Sequence, residues 1–505
     1  MVARCQTSII VGVQAHHVEV EANVGSGLPG LTLVGLADTA VSESRDRVRA
    51  AVEHCGLAWP RTRITVALLP ASMPKRGSSL DAAIAVAILA ASGQVPLEAA
   101  ASTCVLGELG LDGRIHRVPG VIATALSLRG SPVRLLVPSD AVDQAGLVPD
   151  LTSGGITDLL HLVAVLRGTR SPDAAGNVVA APRIDIPDLA DVHGQAEARR
   201  ALEVSAAGGH HAAMIGLPGV GKTLLAERLP GVLPVLDDDT ALEVTAIHSA
   251  AGIDAQGLAR RAPFEAPHHS ASSAAIIGGG QAGRVRIGAV TLAHRGVLFL
   301  DEAPEFARSV LDSLRQPLES GVVRIARADV AATLPARFTL LIAANPCPCG
   351  MGMGMDSACR CTALQRRRYS TKLSGPIMDR IDLRVALERP TLAELGDPGE
   401  ASASIAGRVL VARDRAAARW HRAGVPWRLN ADAPAGALRV SHPPDEAGSR
   451  LLRSAFSRGA LSMRGADRVV RVAWTLADLD GTDRPGAAQV ATAMALRGGE
   501  STWAA

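Results

Sequence analysis

Gly216-Leu217-Pro218-Gly219-Val220-Gly221-Lys222-Thr223 satisfies every fixed position of the phosphate-binding pattern G-x-x-x-x-G-K-[ST]. The chemistry explains the residue types. Glycines let successive backbone N–H groups point at phosphate oxygens, and the following helix adds its positive N-terminal end. Lys222 is placed to reach the β- and γ-phosphates, and the Thr223 hydroxyl to coordinate Mg²⁺. The flanks agree: residues 212–215 are an apolar run of strand type, and residues 224–229 continue as an amphipathic helix. Lys75, Lys222 and Lys372 are the only lysines in the sequence. A compact ammonium kept in a chain that otherwise uses Arg fits a point-charge role on phosphate.

Working outward, Val297-Leu298-Phe299-Leu300 is an apolar run ending in Asp301 and Glu302. Acids at a strand end suit the second nucleotide motif, with Asp301 holding Mg²⁺ through water and Glu302 polarising the attacking water. Residues 337–344 predict another buried strand, which ends at Asn345.

With 505 residues the chain predicts about three domains. Its fold class reads as multidomain α/β. An N-terminal α+β domain is expected over residues 1–170, a Pro/Gly-bearing linker over 171–187, and a nucleotide-binding core with a parallel sheet over 188–390. Residues 391–505 are expected to form a helical C-terminal part. In the first domain, strands are predicted over residues 7–13 and 17–22 around a turn at Gln14–His16, and again over 63–68 and 133–137. Helices are predicted over 38–55, with Asp38 as N-cap, and over 80–91. At the far end, residues 402–422, 447–458, 461–479 and 485–497 carry helical apolar spacing.

Composition excludes several classes. The longest apolar stretch, residues 82–91, is too short to span a bilayer, and the first residues do not read as a signal peptide, so a cytoplasmic protein without a membrane partner is expected. A net charge of +3 neither demands nor excludes nucleic acid. Aromatics at 2% argue against a stacking platform for bases and favour phosphate contacts for any nucleic-acid partner.

Four of the seven cysteines cluster as Cys347-Pro-Cys349 and Cys359-Arg-Cys361. Two close thiolate pairs suit tetrahedral Zn²⁺, although one intervening residue is fewer than the usual two to four; free thiols or a redox pair remain open. His268 and His269 are adjacent, and neighbours on an extended chain point to opposite sides, so both binding one ion is disfavoured.

Longer stretches carry a family resemblance. Residues 69–81, with the later Gly113-Arg114-Ile115, resemble the proteolytic domain of Lon-type proteases, which places Ser78 or Ser79 near the nucleophile position. No lysine follows until Lys222, so the serine lacks its base and proteolysis is not expected. The segment from Asp191 into the phosphate loop resembles ring-forming AAA+ ATPases. That resemblance implies that Asn345 is the sensor-1 residue positioning the lytic water. It implies that Arg380 is the finger reaching the γ-phosphate of a neighbouring subunit, unless it only pairs with Asp379 or Asp382. One of Arg464, Arg468 and Arg471 would be the sensor-2 arginine, with Arg464 and then Arg468 favoured over a merely solvated basic face.

Residues 264–270, 292–302, 314–321 and 344–350 resemble the ComM/YifB family of magnesium-chelatase-like ATPases, almost end to end. The resemblance implies ATP and Mg²⁺ as cofactors, assembly into a hexameric ring, and a DNA motor that branch-migrates recombination intermediates, including those of natural transformation. The alternative it leaves is an ATPase that remodels a protein partner. The family also implies an insert facing the ring pore after His268-His269, for which a pore or substrate contact is expected; Arg284 and Arg286 alternate around Val285 as arginines that would line such a pore, or else belong to a solvated loop.

Overall fold

The computed structural model describes all residues except 36–38, 72, 74, 76, 177–184, 254–256, 282–283, 328–329, 353–357, 374, 397–398 and 498–505. Asp38, the expected N-cap, lies outside the described residues. The helix it was to cap runs Thr39–His54.

Among the described residues the N-terminal part is a mixed sheet of seven strands: β1 (Val2–Val11), β2 (Gln14–Gly25), β3 (Gly30–Val34), β4 (Arg63–Leu69), β5 (Thr103–Val105), β8 (Arg134–Pro138) and β9 (Ser153–Ile156). The order is β3-β4-β2-β1-β5-β8-β9. Between β5 and β8, the short β6 (Glu108–Leu109) and β7 (Ile115–His116) form a separate hairpin. The helix Asp81–Ala91 is buried along its whole length, which is why its sequence is apolar all round.

One expected turn moves. Val11 pairs with Gln14, so the β1–β2 turn is Gly12-Val13, and Gln14–His16 belongs to β2. Gly12 has φ +66°, which glycine adopts without the Cβ penalty, and the two-residue loop fixes the register. The linker also differs from a free tether at its start. Asp173 exchanges backbone hydrogen bonds with Gly155, and the Ser139 hydroxyl bonds its carboxylate at 2.5 Å.

The second sheet is parallel throughout. It contains β10 (Ala212–Gly216), β11 (Phe264–Glu265), β14 (Val297–Leu300), β17 (Thr339–Ala344) and β18 (Leu383–Leu387), ordered β11-β14-β17-β10-β18. Alternate residues feed two cores. Met214, Phe299, Leu341 and Val385 pack toward the C-terminal helices, while Ile215, Leu298, Leu300 and Ile342 face Val290, Phe306 and Leu334. Two antiparallel hairpins leave this domain: β12 (Gly278–Gln281) with β13 (Arg284–Ile287), and β15 (Val322–Arg327) with β16 (Val330–Pro335).

The C-terminal part is helical: Ser402–Arg422, Glu446–Ser457, Met463–Asp480 and Ala487–Leu496, with a short helix Ala437–Ser441 that the periodicity missed. Three of the five tryptophans pack together here. Trp420 is fully buried and meets Trp427, Trp474 and His442 edge-on, at centroid distances of 5.5, 5.8 and 5.1 Å. The Arg419 guanidinium lies over Trp420 and Trp474 and pairs with buried Asp478 at 2.6 Å.

Among the described residues, the N-terminal part packs against the core through an apolar cluster and through the Gly12 turn. Leu242 and Ala246 of the helix Asp238–Ala250 join Val121, Ile122 and Ala125 in one apolar cluster. At the other contact, the Gly12 turn packs against Leu334, so closely that a Cβ there would lie 2.6 Å from its side chain. Among the described residues no helix is long and apolar enough to cross a membrane.

Candidate nucleotide site

The phosphate loop follows β10 and runs into the helix Lys222–Val232. Gly219 and Gly221 have φ of +77° and +96°, so the two turns that aim the loop's N–H groups inward require glycine. Gly216 is required for space, because a Cβ there would sit 2.7 Å from the Leu387 carbonyl oxygen on neighbouring β18. Leu217 is half-buried, Pro218 exposed and Val220 buried. The Gln195 amide donates to the Val220 carbonyl at 3.3 Å and steadies the loop from the preceding segment, a role the sequence reading did not assign.

The sheet order explains what faces this loop. β17 lies beside β10, and β14 lies beyond β17, so the residues ending all three strands converge. Lys222 is buried, and its ammonium donates to the carbonyls of Gly216 at 2.7 Å and Leu217 at 2.9 Å, and to Asn345 Oδ1 at 3.0 Å. Burial lowers its pKa, and the nearby charges of Asp301 and Glu302 oppose that shift. The Thr223 hydroxyl donates to Asp301 Oδ2 at 2.7 Å. These are the two side chains that the sequence assigns to Mg²⁺, brought together from positions 78 residues apart in the chain.

Glu302 is half-exposed, with φ +48°, and its backbone N–H is held by Asp301 Oδ1 at 2.8 Å. Its carboxylate lies 3.5 Å from His269 Nδ1. His268-His269 is expected as a pore or substrate contact; the structure sets His269 against Glu302 and Phe306, while the tilted His268 ring lies against it at 4.1 Å and bonds the Ser270 hydroxyl. The signal was available only through the sheet: β11, which leads into this segment, pairs in parallel with β14.

A second set of charges gathers away from Lys222. Arg380 is ion-paired with Glu319, and the like charges of Arg468, Arg315 and Arg464 add to burial in lowering its pKa. Asp379 and Asp382, the partners considered for Arg380, are taken by others. Arg464, which is largely exposed, reaches Asp379 at 3.2 Å, and Arg468 pairs with buried Asp382. Asp382 also accepts from His210 Nδ1 at 2.8 Å; despite its burial, Arg468 and His210 hold its carboxyl well below the usual carboxylate range. Arg471 lies in the same field, its pKa lowered by burial. Arg380, Arg464 and Arg468 therefore form one arginine group joining the core to the C-terminal helices.

The four clustered cysteines meet. Cys347, Cys349, Cys359 and Cys361 place their sulfurs within 4.8 Å of one another. Ser78, in the N-terminal part, bonds the Glu108 carboxylate rather than a lysine, and Lys75 donates to the Pro70 carbonyl.

Arg286 and Arg324 are exposed on the two hairpins; the side chain of Arg284 lies outside the described residues.

Comparison with known proteins fits this architecture. Residues 188–395 match a family model described as magnesium chelatase, subunit ChlI; residues 20–141 match subunit ChlI of Mg-chelatase; and residues 399–497 match its C-terminal part. The chain is 48% identical to an uncharacterised protein of Mycobacterium tuberculosis over 96% of both chains. It is 40% identical to the uncharacterised protein YifB of Escherichia coli, over 94% of this chain and 93% of that one. It is 38% identical to the competence protein ComM of Haemophilus influenzae over 96% of both. With its parallel sheet, helical C-terminus and full-length similarity to YifB and ComM, the chain belongs to the ComM/YifB family of magnesium-chelatase-like proteins.

Proposed function

We propose that the protein is an ATP-hydrolysing ring motor acting on DNA, with branch migration of recombination intermediates as its task. The family supports a ComM-like ATPase of the AAA+ kind using ATP and Mg²⁺. The observation that carries the ATPase reading is the convergence of Lys222 with Asn345 and of Thr223 with Asp301, beside Glu302. In this reading Lys222 neutralises the β- and γ-phosphates. Thr223 and Asp301 hold Mg²⁺, while Glu302 and Asn345 orient the attacking water. His269 positions the Glu302 carboxylate. Arg380, with Arg464 and Arg468 beside it, completes the site of the next subunit in a hexameric ring, where added positive charge stabilises the transition state.

The domain division at residues 170, 188 and 390 belongs to the same reading, as does a Lon-like, non-proteolytic N-terminal domain. DNA as the substrate is supported by the name of the competence relative and by the two hairpins with exposed Arg286 and Arg324. Such arginines suit phosphate contacts without base stacking. The test is ATP hydrolysis with no DNA, single strands, duplex and a four-way junction, using Lys222→Ala as the blank. Stimulation by branched or single-stranded DNA is expected. An ATPase indifferent to all of them overturns the DNA reading in favour of a protein substrate.

A further inference from the structure

We propose that Cys347, Cys349, Cys359 and Cys361 form a tetrathiolate zinc site that holds Asn345 in place against Lys222 and makes ATP turnover depend on zinc. The coupling part of this inference rests on the ATPase reading above; the metal site does not.

The sulfur geometry is that of a ligand set. Cys347 Sγ lies 3.3 Å from Cys349 Sγ and 3.6 Å from Cys359 Sγ, and Cys349 lies 3.7 Å from Cys359. Zn–S bonds of about 2.3 Å in a tetrahedron require sulfurs about 3.8 Å apart. All four fall within 4.8 Å of one another. A disulfide would need about 2.05 Å, so the sulfurs are gathered without being bonded. Thiols are weak hydrogen-bond partners and do not by themselves offset the entropy of closing the loop between the two pairs. The backbone makes room for the cluster: Gly352 approaches so closely that a Cβ there would lie 2.9 Å from Cys347 Sγ and 3.5 Å from Cys359 Sγ. Thiolate-only donors favour zinc over the oxygen-seeking Mg²⁺ of the nucleotide site.

What the cluster touches gives it a consequence. Cys347 is fully buried and follows Asn345 by two residues. Gly350, directly after the second ligand Cys349, is packed on the phosphate loop; a Cβ there would lie 2.6 Å from Pro218 Cγ. On the other side, Cys361 leads directly into the helix Ala363–Ser370, whose start is fixed by reciprocal bonds between Thr362 and Gln365. Buried Tyr369 at the end of that helix returns to hydrogen-bond the Asn345 backbone. Asn345 and Tyr369, which flank the cluster in the sequence, thus meet, and the four sulfurs are the clasp between them. Beyond it, the chain continues to Arg380. A metal here fixes the sensor strand's end without touching nucleotide, which makes the cysteines positioning residues.

The full-length protein, purified without chelator, is assayed for zinc by mass spectrometry, with thiol reactivity followed by a disulfide reagent. About one zinc per chain is expected. Exposed Cys349 should resist the reagent until a mercurial displaces the metal. Cobalt substitution should give the charge-transfer bands of tetrahedral thiolate ligation. Chains without zinc, or with iron in its place, or with Cys349 reacting as a free thiol, overturn the site.

For the coupling, Cys359→Ser/Cys361→Ser should lose zinc and at least about tenfold in kcat, while its Kd for ATP stays within about threefold. In case that variant misfolds, wild-type protein stripped of zinc should regain activity with Zn²⁺ and not with Mg²⁺ alone. Normal kcat in zinc-free protein overturns the coupling. Lys222→Ala should keep its zinc while losing hydrolysis. Wild-type protein that binds zinc but never hydrolyses ATP overturns the ATPase reading and the coupling with it, and leaves the metal site standing.

Discussion

Asn345→Ala separates two roles that the structure superimposes. In the structure, Asn345 Oδ1 is one of three oxygens receiving the Lys222 ammonium, the others being the Gly216 and Leu217 carbonyls at 2.7 and 2.9 Å. Removing Asn345 leaves two acceptors, both shorter contacts and both fixed by the loop backbone. Lys222 therefore stays tethered, and the β- and γ-phosphates still meet the same charge. The expected loss in ATP affinity is below about threefold, less than the 1.5–3 kcal/mol or so of one charged hydrogen bond. Turnover is different. A polar group preset where the attacking water sits in the transition state contributes about 2.7–4 kcal/mol, so kcat should fall roughly 10²–10³-fold. Lys222→Ala should show the opposite balance, with affinity falling by tenfold or more. Equilibrium binding of a fluorescent ATP analogue and a coupled hydrolysis assay on the three proteins measure both terms. Asn345→Ala that loses affinity in step with Lys222→Ala would show that the residue merely holds the lysine, and the water-positioning argument would fall.

Mixing Arg380→Ala with Lys222→Ala subunits should restore some hydrolysis at interfaces where an intact phosphate loop meets an intact finger; inactivity at every ratio speaks against action in trans. Asn430→Ala removes a buried amide that accepts from Arg419 and Trp420 at 3.1 Å and donates to Thr475 and Asp478 at 2.9 Å. The Trp420 N–H loses its partner, so the C-terminal helices should lose on the order of 2–4 kcal/mol, read as an earlier unfolding step in urea by tryptophan fluorescence. An unchanged midpoint refutes that role. Burial first, with Arg468 assisting and Asp382 opposing, lowers the His211 pKa to about 4, and its Nδ1 accepts the Leu340 N–H at 3.0 Å. Because the unfolded chain binds this proton near pH 6.5 and the folded one does not, the contribution is complete above pH 6.5. It erodes toward pH 4, by on the order of 2 kcal/mol after allowance for partial exposure. His211→Gln should flatten the loss of melting temperature between pH 7.5 and pH 5, and equal losses in both proteins argue against it.

The sequence alone determined the parts whose requirements lie within a few residues. The phosphate loop is legible because Gly219, Gly221, Lys222 and Thr223 each answer a local backbone or charge demand. The strand to Asp301 and the helix Ser402–Arg422 are legible because burial imposes its period on adjacent positions. The β1–β2 turn was misplaced by a few residues, since Gly12 and the polar run after it both carry turn chemistry and only pairing chooses between them. What the tertiary structure decided are the meetings between distant strands. That Asn345 touches Lys222, and that His269 faces Glu302, follows from β17 lying beside β10 and β11 beside β14, an order no local pattern encodes. Arg464 and Arg468 could be named as basic residues of one helix, yet their partners Asp379 and Asp382 are set by how that helix docks on the core. The cysteine pairs could be counted, but whether their sulfurs meet depends on a loop closing back on itself, and long-range closure is a property of the packed chain.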